Sequence, residues 1–233
     1  LGDVYKRQIF GWHNMPGFPA GSVAVHDGTA AFASRGLVLS FFGKSSHASQ
    51  PENGHNPARA ISKLIIDIPE LTAREDHRGI VMATVVCVRI GEEAFGTNAG
   101  FGQLMLTIRA EFESELDALD AEICARARAY ARQDGITNVE IQYRDSFPET
   151  RNTPDAVAAV RKARLECGLP EARWDEPFRS SEDFGCYTKL TSGALFYIGC
   201  GTRHAKLHTR EYDFNDEIIE PAVDMMFRLA QDA

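Results

Sequence analysis

The chain has 233 residues, a formal net charge of −8 and a pI of about 5.4, and 44% of its residues are hydrophobic. This composition is typical of a globular protein, and the length allows one large domain or two smaller ones. An acidic chain without a cluster of Lys and Arg argues against nucleic acid or an anionic membrane surface as a partner. No apolar run reaches the roughly 20 residues that a membrane-spanning helix needs, and we expect no membrane partner.

The cysteines and the first residues of the chain bear on its compartment and processing. There are five cysteines, an odd number, and no two of them have the CxxC spacing, which argues against a disulfide framework or a zinc knuckle. Free thiols in a reducing compartment are the simpler interpretation, and we expect a cytoplasmic protein. Residues 1–8, LGDVYKRQ, lack the pattern of a signal peptide and run into a strand-like segment without a cap or turn. We therefore suspect a truncation junction here rather than native sequence.

Residues 1–35 are rich in loops, with one or two strands, whereas residues 36–148 predict a regular domain. Spacings of three and four between apolar residues predict helices there, and alternation or β-branched runs predict strands. The predicted elements are a strand over Leu37–Phe42, a helix starting near Asn56, strands over Gly79–Ile90 and Gly102–Phe112, a helix from Ser114 to Gly135 and a strand over Val139–Tyr143. This β-α-β-β-α-β order is that of the ferredoxin-like fold, with an edge strand available for pairing.

Residues 149–233 again alternate helix and strand, as in an α/β layer. We predict a helix from Pro154 to Gly168, a buried strand over Ala194–Cys200, and a last helix with Ile219, Ala222, Val223, Met226 and Phe227 on one face. The acidic segment Ser181–Asp183 suits a helix start, and we interpret it as structural. The expected fold class is therefore α/β. A partial α/β domain, 1–35 and 149–233, is interrupted by a smaller α+β domain, 36–148.

Three histidines are candidate functional residues. His47 lies in the segment GKSSHASQPENGHNPARA, between a predicted strand and a helix that Asn56 caps. His13 and His208 lie at the ends of predicted core elements, where ligands and metals gather in α/β domains. Neutral imidazole is a common ligand for zinc and similar ions. On these patterns alone, exposed or capping histidines without a role are the favoured interpretation, and no local zinc motif such as HExxH is present.

Several segments, taken in order, resemble one protein family. They are IFGWHNMPGFPAGSVAV, GKSSHASQPENGHNPARAI, GEEAFGTNAG with TIRAEF, RSSEDFGCY and LHTREYDFND. Together they are similar to the C-terminal part of an M20-type metallopeptidase in the amidohydrolase branch. That branch includes hippurate hydrolases, N-acyl-amino-acid amidohydrolases and plant auxin-conjugate hydrolases. Each segment alone is weak evidence, but the ordered set is highly specific.

The resemblance implies a di-metal α/β catalytic domain interrupted by a ferredoxin-like lid through which two subunits form a homodimer. It implies two divalent metal ions (Zn, Mn, Co or Ni), with His13 as a ligand to one and His208 as a ligand to the other. It implies that His47 reaches the active site of the partner subunit and donates to the oxyanion. Asn98 would assist in the substrate site, and Arg109 would bind the substrate's carboxylate. From the residues alone, Asn98 could equally form a turn in GTNAG, and Arg109 could equally be a surface arginine paired with a neighbouring Glu. The implied activity is hydrolysis of the amide bond of N-acyl amino acids or small peptide-like conjugates by a metal-activated water.

The chain departs from the family pattern upstream of His13. Family members carry a Cys-x-His pair and a Glu-Glu pair there, and neither precedes His13 here. Glu92 and Glu93 do not substitute, because they lie in the predicted lid. We therefore expect a fragment with part of the metal site and no identifiable general base, inactive alone. Two alternatives remain open: a non-catalytic dimerising module, and a related di-metal aminopeptidase, against which Arg109 speaks.

Overall fold

The computed structural model describes residues 8–231, so all but the last residue of the suspected junction lies outside the described residues. The strands are β1 (Gln8–Pro16), β2 (Val23–Ala24), β3 (Gly28–Ala31), β4 (Ala33–Phe42), β5 (Ser46–His47), β6 (Val81–Ile90), β7 (Thr97–Asn98), β8 (Phe101–Ala110), β9 (Asn138–Phe147), β10 (Thr150–Asn152) and β11 (Ser192–Gly201). The α-helices are α1 (Ala58–Thr72), α2 (Glu113–Gln133), α3 (Pro154–Glu166), α4 (Gly185–Thr188) and α5 (Ile219–Gln231). Short 3-10 helices span Pro51–Asn53 and Asp216–Ile218.

The chain divides into two compact units. The first unit comprises the described residues up to Phe32 together with those from Pro148 onward. The second unit is the intervening segment Ala33–Phe147. Each unit has a hydrophobic core of its own, and each is described separately below.

The first unit is built on the parallel pair β1 and β11. β11 lies between β1 and the short antiparallel strand β2, and β3 pairs with β10 in a separate two-stranded sheet. Phe196 and Ile198 of β11 pack with residues of α3 and α5 on one face, whereas Leu195 and Tyr197 pack on the other. Because successive side chains of a strand point to opposite faces, β11 is buried on both sides, as the run Ala194–Cys200 predicts.

The start of α3 ties this unit together. Pro154 occupies the first helical turn after Thr153, a position that suits proline because its missing N–H would have no partner there. The Asp155 carboxylate accepts hydrogen bonds from Ser192 and Gln8, at the start of β11 and of β1. Hydrogen bonds from Thr153, Ser192 and Gln8, in that order, hold the pKa of Asp155 well below its ordinary value. Asp155 thus links one helix to the two central strands.

The second unit contains a four-stranded antiparallel sheet in the order β6-β8-β4-β9. Its long strands and helices follow one another in the order β-α-β-β-α-β. The alternating residues Leu104, Leu106 and Ile108 are buried in one cluster with residues of α1 and α2, so both helices cover the same face of the sheet. β6 and β9 are the two edges of the sheet, and Val86 on β6 is 61% exposed.

Helix α2 ends as the sequence predicts but begins differently. Gly135 has φ +74°, and the N–H groups of Gly135 and Ile136 donate to Arg132 O and Ala131 O. This is a Schellman motif, which needs a left-handed residue that glycine supplies without strain. The helix begins at Glu113, without a side-chain cap, rather than at Ser114. Within residues 8–231, no helix is both long and apolar enough to cross a membrane.

Two sequence-based expectations in the first unit are wrong. Ser181–Asp183 does not begin a regular helix; it precedes the four-residue helix α4, which starts at Gly185. In α5 the buried residues are Ala222, Met225 and Leu229, whereas Val223 and Phe227 are each 60% exposed. The helix carries apolar residues on two adjacent stripes, and the periodicity does not distinguish which stripe meets the core.

Candidate active site

His13 lies within strand β1, three residues before the strand ends at Pro16. It is half-buried and is the register partner of Tyr197 on the parallel strand β11. The two rings lie on the same face of the sheet, with centroids 6.0 Å apart. The carboxyl ends of parallel neighbouring strands meet at one edge, which is where open α/β sheets bind ligands.

The hydrogen bond of His13 determines which ring nitrogen can bind a ligand. Its Nδ1 lies 2.7 Å from the backbone oxygen of Asn14. A carbonyl oxygen only accepts, so Nδ1 carries a hydrogen and donates. In the neutral ring Nε2 therefore has a free lone pair, which is the arrangement of most metal-ligating histidines. His13 Nε2 is thus the ring nitrogen available to accept a hydrogen bond or to bind a cation.

Glu182 is the residue at this site that the sequence analysis missed. Its Oε1 lies 3.9 Å from His13 Nε2, and its side chain is 29% exposed. Burial raises the pKa of Glu182 above its ordinary value, His13 opposes that rise, and Asp183 adds to it. The signal in the sequence is the acidic segment itself, which we interpret as a helix start because acidic residues favour the positive end of a helix dipole.

The loop after β11 brings further polar side chains to His13's end of the sheet. The amide of Asn14 donates to the hydroxyl of Tyr212, and the ring of Tyr212 lies 5.4 Å from that of His204. His208 is exposed in the same loop and has φ +64°, a left-handed conformation that is uncommon for a residue other than glycine. Among residues 8–231 no group of three His, Cys, Asp or Glu side chains is arranged to hold a metal ion.

His47 occupies the short strand β5 of the second unit, which pairs with β7 so that His47 lies opposite Thr97. The side chain is exposed. The backbone N–H of Ser49 donates to His47 Nδ1 over 3.1 Å, and Ser49 Oγ lies 2.7 Å from the same atom. Because Nδ1 accepts from a backbone N–H, the proton of the neutral ring is on Nε2. His47 therefore presents an N–H donor to the solvent side.

Asn98 lies beside His47 but uses its amide within its own unit. Its Nδ2 donates to Ser46 Oγ over 3.1 Å and to Pro51 O over 3.4 Å. Its Oδ1 accepts from Asn56 Nδ2 over 2.8 Å. These bonds join three loop segments around His47, and they support the turn-forming interpretation of Asn98 alongside the substrate role. A cavity of about 590 Å³ adjoins the cluster and is lined by Asn98, Ile90 and Phe101 among others.

Arg109 lies at the opposite end of the same sheet. It is half-buried on β8, opposite Ser34 of β4 and Met82 of β6. Phe101, at the His47 end of β8, is eight residues away along the strand, which at the usual strand rise is roughly 27 Å. The chain enters and leaves the second unit at the Arg109 end, because Ala33 and Phe147 are there. Within one chain, therefore, Arg109 and His47 do not contact one small substrate together.

A comparison with protein-family models decides the family of this chain. The model described as Peptidase family M20/M25/M40 matches residues 4–232. The chain belongs to this peptidase family. Its curated relatives place it in the amidohydrolase branch. A hippurate hydrolase of Campylobacter jejuni is 24% identical over 225 residues, which cover 95% of this chain and 58% of the relative. An N-acetyldiaminopimelate deacetylase of Shouchella clausii is 26% identical over 233 residues, covering 97% and 60%.

Solved structures of the M20 family and related proteins share the fold at low sequence identity. An aminohydrolase from methicillin-resistant Staphylococcus aureus has a TM-score of 0.85 and 19% identity, covering 97% of this chain and 59% of that one. A Bacillus subtilis protein described as a dinuclear metal-binding M20 peptidase has a TM-score of 0.75 and 18% identity, covering 96% and 56%. The M20 chain described here thus spans about 60% of the length of these relatives.

Proposed function

We propose that the protein to which these residues belong hydrolyses the amide bond of N-acyl amino acids or small peptide-like conjugates, with divalent cations as cofactors. Membership of the M20 family supports amide hydrolysis. Two relatives are named for hippurate hydrolysis and for deacetylation of N-acetyldiaminopimelate, and both compounds are N-acyl amino acids. The observation that carries the proposal is His13, whose Nδ1 is engaged by Asn14 O and whose Nε2 is left to bind a ligand.

The proposed domain roles follow from the two units. The first unit would be part of an α/β catalytic domain, and the second a ferredoxin-like lid inserted into it. The β-α-β-β-α-β order and the sheet order β6-β8-β4-β9 support the lid assignment. The lid would also form the homodimer, because the ten-residue strand β6 is an edge of the sheet and carries the exposed Val86, and an edge strand is a template for pairing with another chain.

The residues present fit a divalent cation site in part. His13 offers an unprotonated ring nitrogen beside the carboxylate of Glu182, and nitrogen with carboxylate oxygen is a donor set that suits zinc, manganese, cobalt or nickel. We propose His13 as a ligand to one of two cations and His208 as a ligand to the other. When bound, such cations polarise the amide carbonyl and lower the pKa of a bound water.

His47 is proposed as the donor that stabilises the oxyanion in the partner subunit's active site. Ser49 fixes its proton on Nε2, so the exposed side chain offers an N–H. A preorganised donor of this kind is worth about 10²–10³ in kcat. Ala33 and Phe147, where the chain enters and leaves the second unit, lie at one end of the sheet, and His47 lies at the other end. This position supports a role for His47 in the active site of a second subunit.

Arg109 is proposed to bind the carboxylate of the amino-acid half of the substrate. Its planar guanidinium suits a carboxylate because two parallel N–H groups can donate to both oxygens. Asn98 is proposed to assist in the substrate site through the loops that it holds around His47. We further propose that the general base and the remaining cation ligands lie outside these 233 residues, so that this chain alone does not turn over substrate.

The free cysteines support a reducing compartment, and we propose the cytoplasm. Cys124 and Cys200 are buried, and all five cysteines are free thiols. Free buried thiols are usual in reducing compartments, whereas secreted domains commonly pair their cysteines.

The test of the proposed activity uses the full-length protein with hippurate and with N-acetyl amino acids. We expect release of the free amino acid, loss of the activity with a chelator, and recovery when a divalent cation is added back. The 233-residue chain alone serves as the comparison and should release none. Hydrolysis that a chelator leaves unchanged, or no hydrolysis of any N-acyl amino acid, would overturn the proposal. A dimeric but inactive full-length protein would favour the non-catalytic dimerising module.

A further inference from the structure

Phe95, in the loop between β6 and β7, is the most exposed large apolar side chain among residues 8–231, with 98% of its surface accessible. The backbone N–H of Thr97 donates to Ala94 O over 3.0 Å, so Phe95 and Gly96 are the central residues of a hydrogen-bonded β-turn. Removing an aromatic ring from water is favourable, yet this turn holds the ring in water. Phe95 is therefore available to a molecule outside its own unit.

The backbone joins this turn directly to His47. Thr97 is the register partner of His47, and the backbone N–H of Ala48 donates to Gly96 O over 2.9 Å. Opposite residues of an antiparallel pair have Cα atoms about 4.5–5.5 Å apart, and two residues of chain span at most about 7 Å. The Cα atoms of Phe95 and His47 are therefore within roughly 12 Å of each other. Because both side chains are exposed, one small molecule can contact both rings.

We infer that Phe95 contacts the acyl group of the substrate and selects apolar acyl groups. This inference rests on the proposed role of His47, and it names the class of acyl group. The oxyanion that His47 would stabilise is the former carbonyl oxygen of the amide, and the acyl substituent is bonded to the same carbon. A side chain beside the oxyanion donor is therefore close to that substituent. Contact between the ring and an apolar acyl group removes apolar surface of both from water.

The charges beside the turn favour an uncharged group over the substrate's carboxylate. Glu92 and Glu93 are exposed and lie just before Phe95 in the chain. Like charges repel, so the carboxylate of the amino-acid half is disfavoured at this turn, and we propose Arg109 for it. The same two side chains, together with the net charge of −8, argue against insertion of Phe95 into an anionic membrane. A contact between two copies of the chain is the other alternative, and the experiment separates it.

The experiment compares two substrates of the full-length protein that differ only in the acyl group, hippurate (N-benzoylglycine) and N-acetylglycine. The wild-type protein should have the higher kcat/KM with hippurate. Phe95→Ala should lower kcat/KM for hippurate about tenfold and change that for N-acetylglycine less than about twofold, with the oligomeric state unchanged in sedimentation velocity. Phe95→Leu keeps an apolar side chain and should lie between. Ile66→Ala is the matched control, because Ile66 is 70% exposed on α1 of the same unit, and it should leave both constants unchanged.

Each outcome bears on the inference. A fall for hippurate alone, with an unchanged oligomeric state, supports it. An equal fall for both substrates, no change for either, or a wild-type preference for N-acetylglycine would overturn it. A loss that accompanies dissociation of the subunits would also overturn it and make Phe95 a contact between copies. Phe95→Leu decides the question if Phe95→Ala does not fold. A wild-type protein that hydrolyses neither substrate refutes the proposed function and this inference with it, whereas hydrolysis of both with an unchanged ratio in Phe95→Ala refutes this inference alone.

Discussion

Replacing Asn98 by alanine should open the loops that hold His47. The substitution removes three hydrogen bonds, to Ser46 Oγ, to Pro51 O and from Asn56 Nδ2, at 3.1, 3.4 and 2.8 Å. A typical hydrogen bond contributes about 1 kcal/mol net. Because the first of these distances is ordinary, the second is long and the site is half-buried, we expect a loss of about 2 kcal/mol in local stability.

Native-state hydrogen exchange measures this loss amide by amide. The reporting amides are those of Gly43, which donates to Gly100 O over 2.7 Å, and of His55, which donates to Lys44 O over 2.8 Å. A loss of 2 kcal/mol corresponds to a roughly thirtyfold fall in protection. Asn53→Ala is the matched control, because Asn53 is exposed and its amide makes only a 3.4 Å contact with Gln50, so its effect should stay within about 0.5 kcal/mol.

The same variant distinguishes a loop-holding Asn98 from a substrate-binding Asn98. If Asn98 holds the loops, protection at Gly43 and His55 falls together with kcat of the full-length protein, because His47 loses its position. If Asn98 acts only by binding the substrate, kcat of the full-length protein falls while hydrogen-exchange protection at Gly43 and His55 stays at the wild-type level. Unchanged protection in Asn98→Ala, or an equal loss in Asn53→Ala, would refute the inference that Asn98 is the link between these loops.

Further predictions concern stability and reactivity. Gly135→Ala should lower the free energy of unfolding of the second unit, measured by urea denaturation, by about 1–2 kcal/mol. Alanine is strained at φ +74°, and its Cβ would lie 2.5 Å from a histidine ring. Gly96→Ala is the control and should have little effect, because a Cβ there meets open space. Asp155→Asn should destabilise the first unit near neutral pH. Hydrogen bonds from Thr153 and its neighbours lower the folded pKa of Asp155, so this contribution is present above about pH 4, the unfolded value, and is lost as pH falls toward the folded pKa; a constant gap between the urea midpoints down to pH 2 would contradict this. Burial raises the pKa of Cys124 to about 12, so a thiol reagent at pH 8 should leave it unmodified until the chain unfolds; rapid modification in the native chain would refute this burial.

Where local pattern and tertiary environment agree, the sequence predicts the element. The alternation at Leu104, Leu106 and Ile108 gives one buried face of β8, and Gly135 ends α2. Both follow from rules of period and backbone conformation that act within a few residues. The exposed stripe at Val223 and Phe227 shows the limit of this reasoning, because the choice between two adjacent apolar stripes depends on which elements pack against the helix.

The candidate site is less predictable because it depends on contacts between distant segments. Glu182 meets His13 only through the packing of the α4 region on the β1–β11 pair, and its own segment resembles a helix start. The proton position on His47 depends on a backbone N–H, that of Ser49, which every residue except proline would supply. Residue type therefore pointed to the histidines, whereas their hydrogen-bond partners were visible only in the structure.

The central proposal is that His47 of one subunit serves the His13 site of the other. The most direct test mixes two variants of the full-length protein, His13→Ala and His47→Ala, under conditions in which subunits exchange. Each variant alone should be nearly inactive toward an N-acyl amino acid. A statistical mixture should regain about a quarter of wild-type activity, because half of the dimers are mixed and each of these has one intact site. Mixed dimers that form but remain inactive would contradict the proposal.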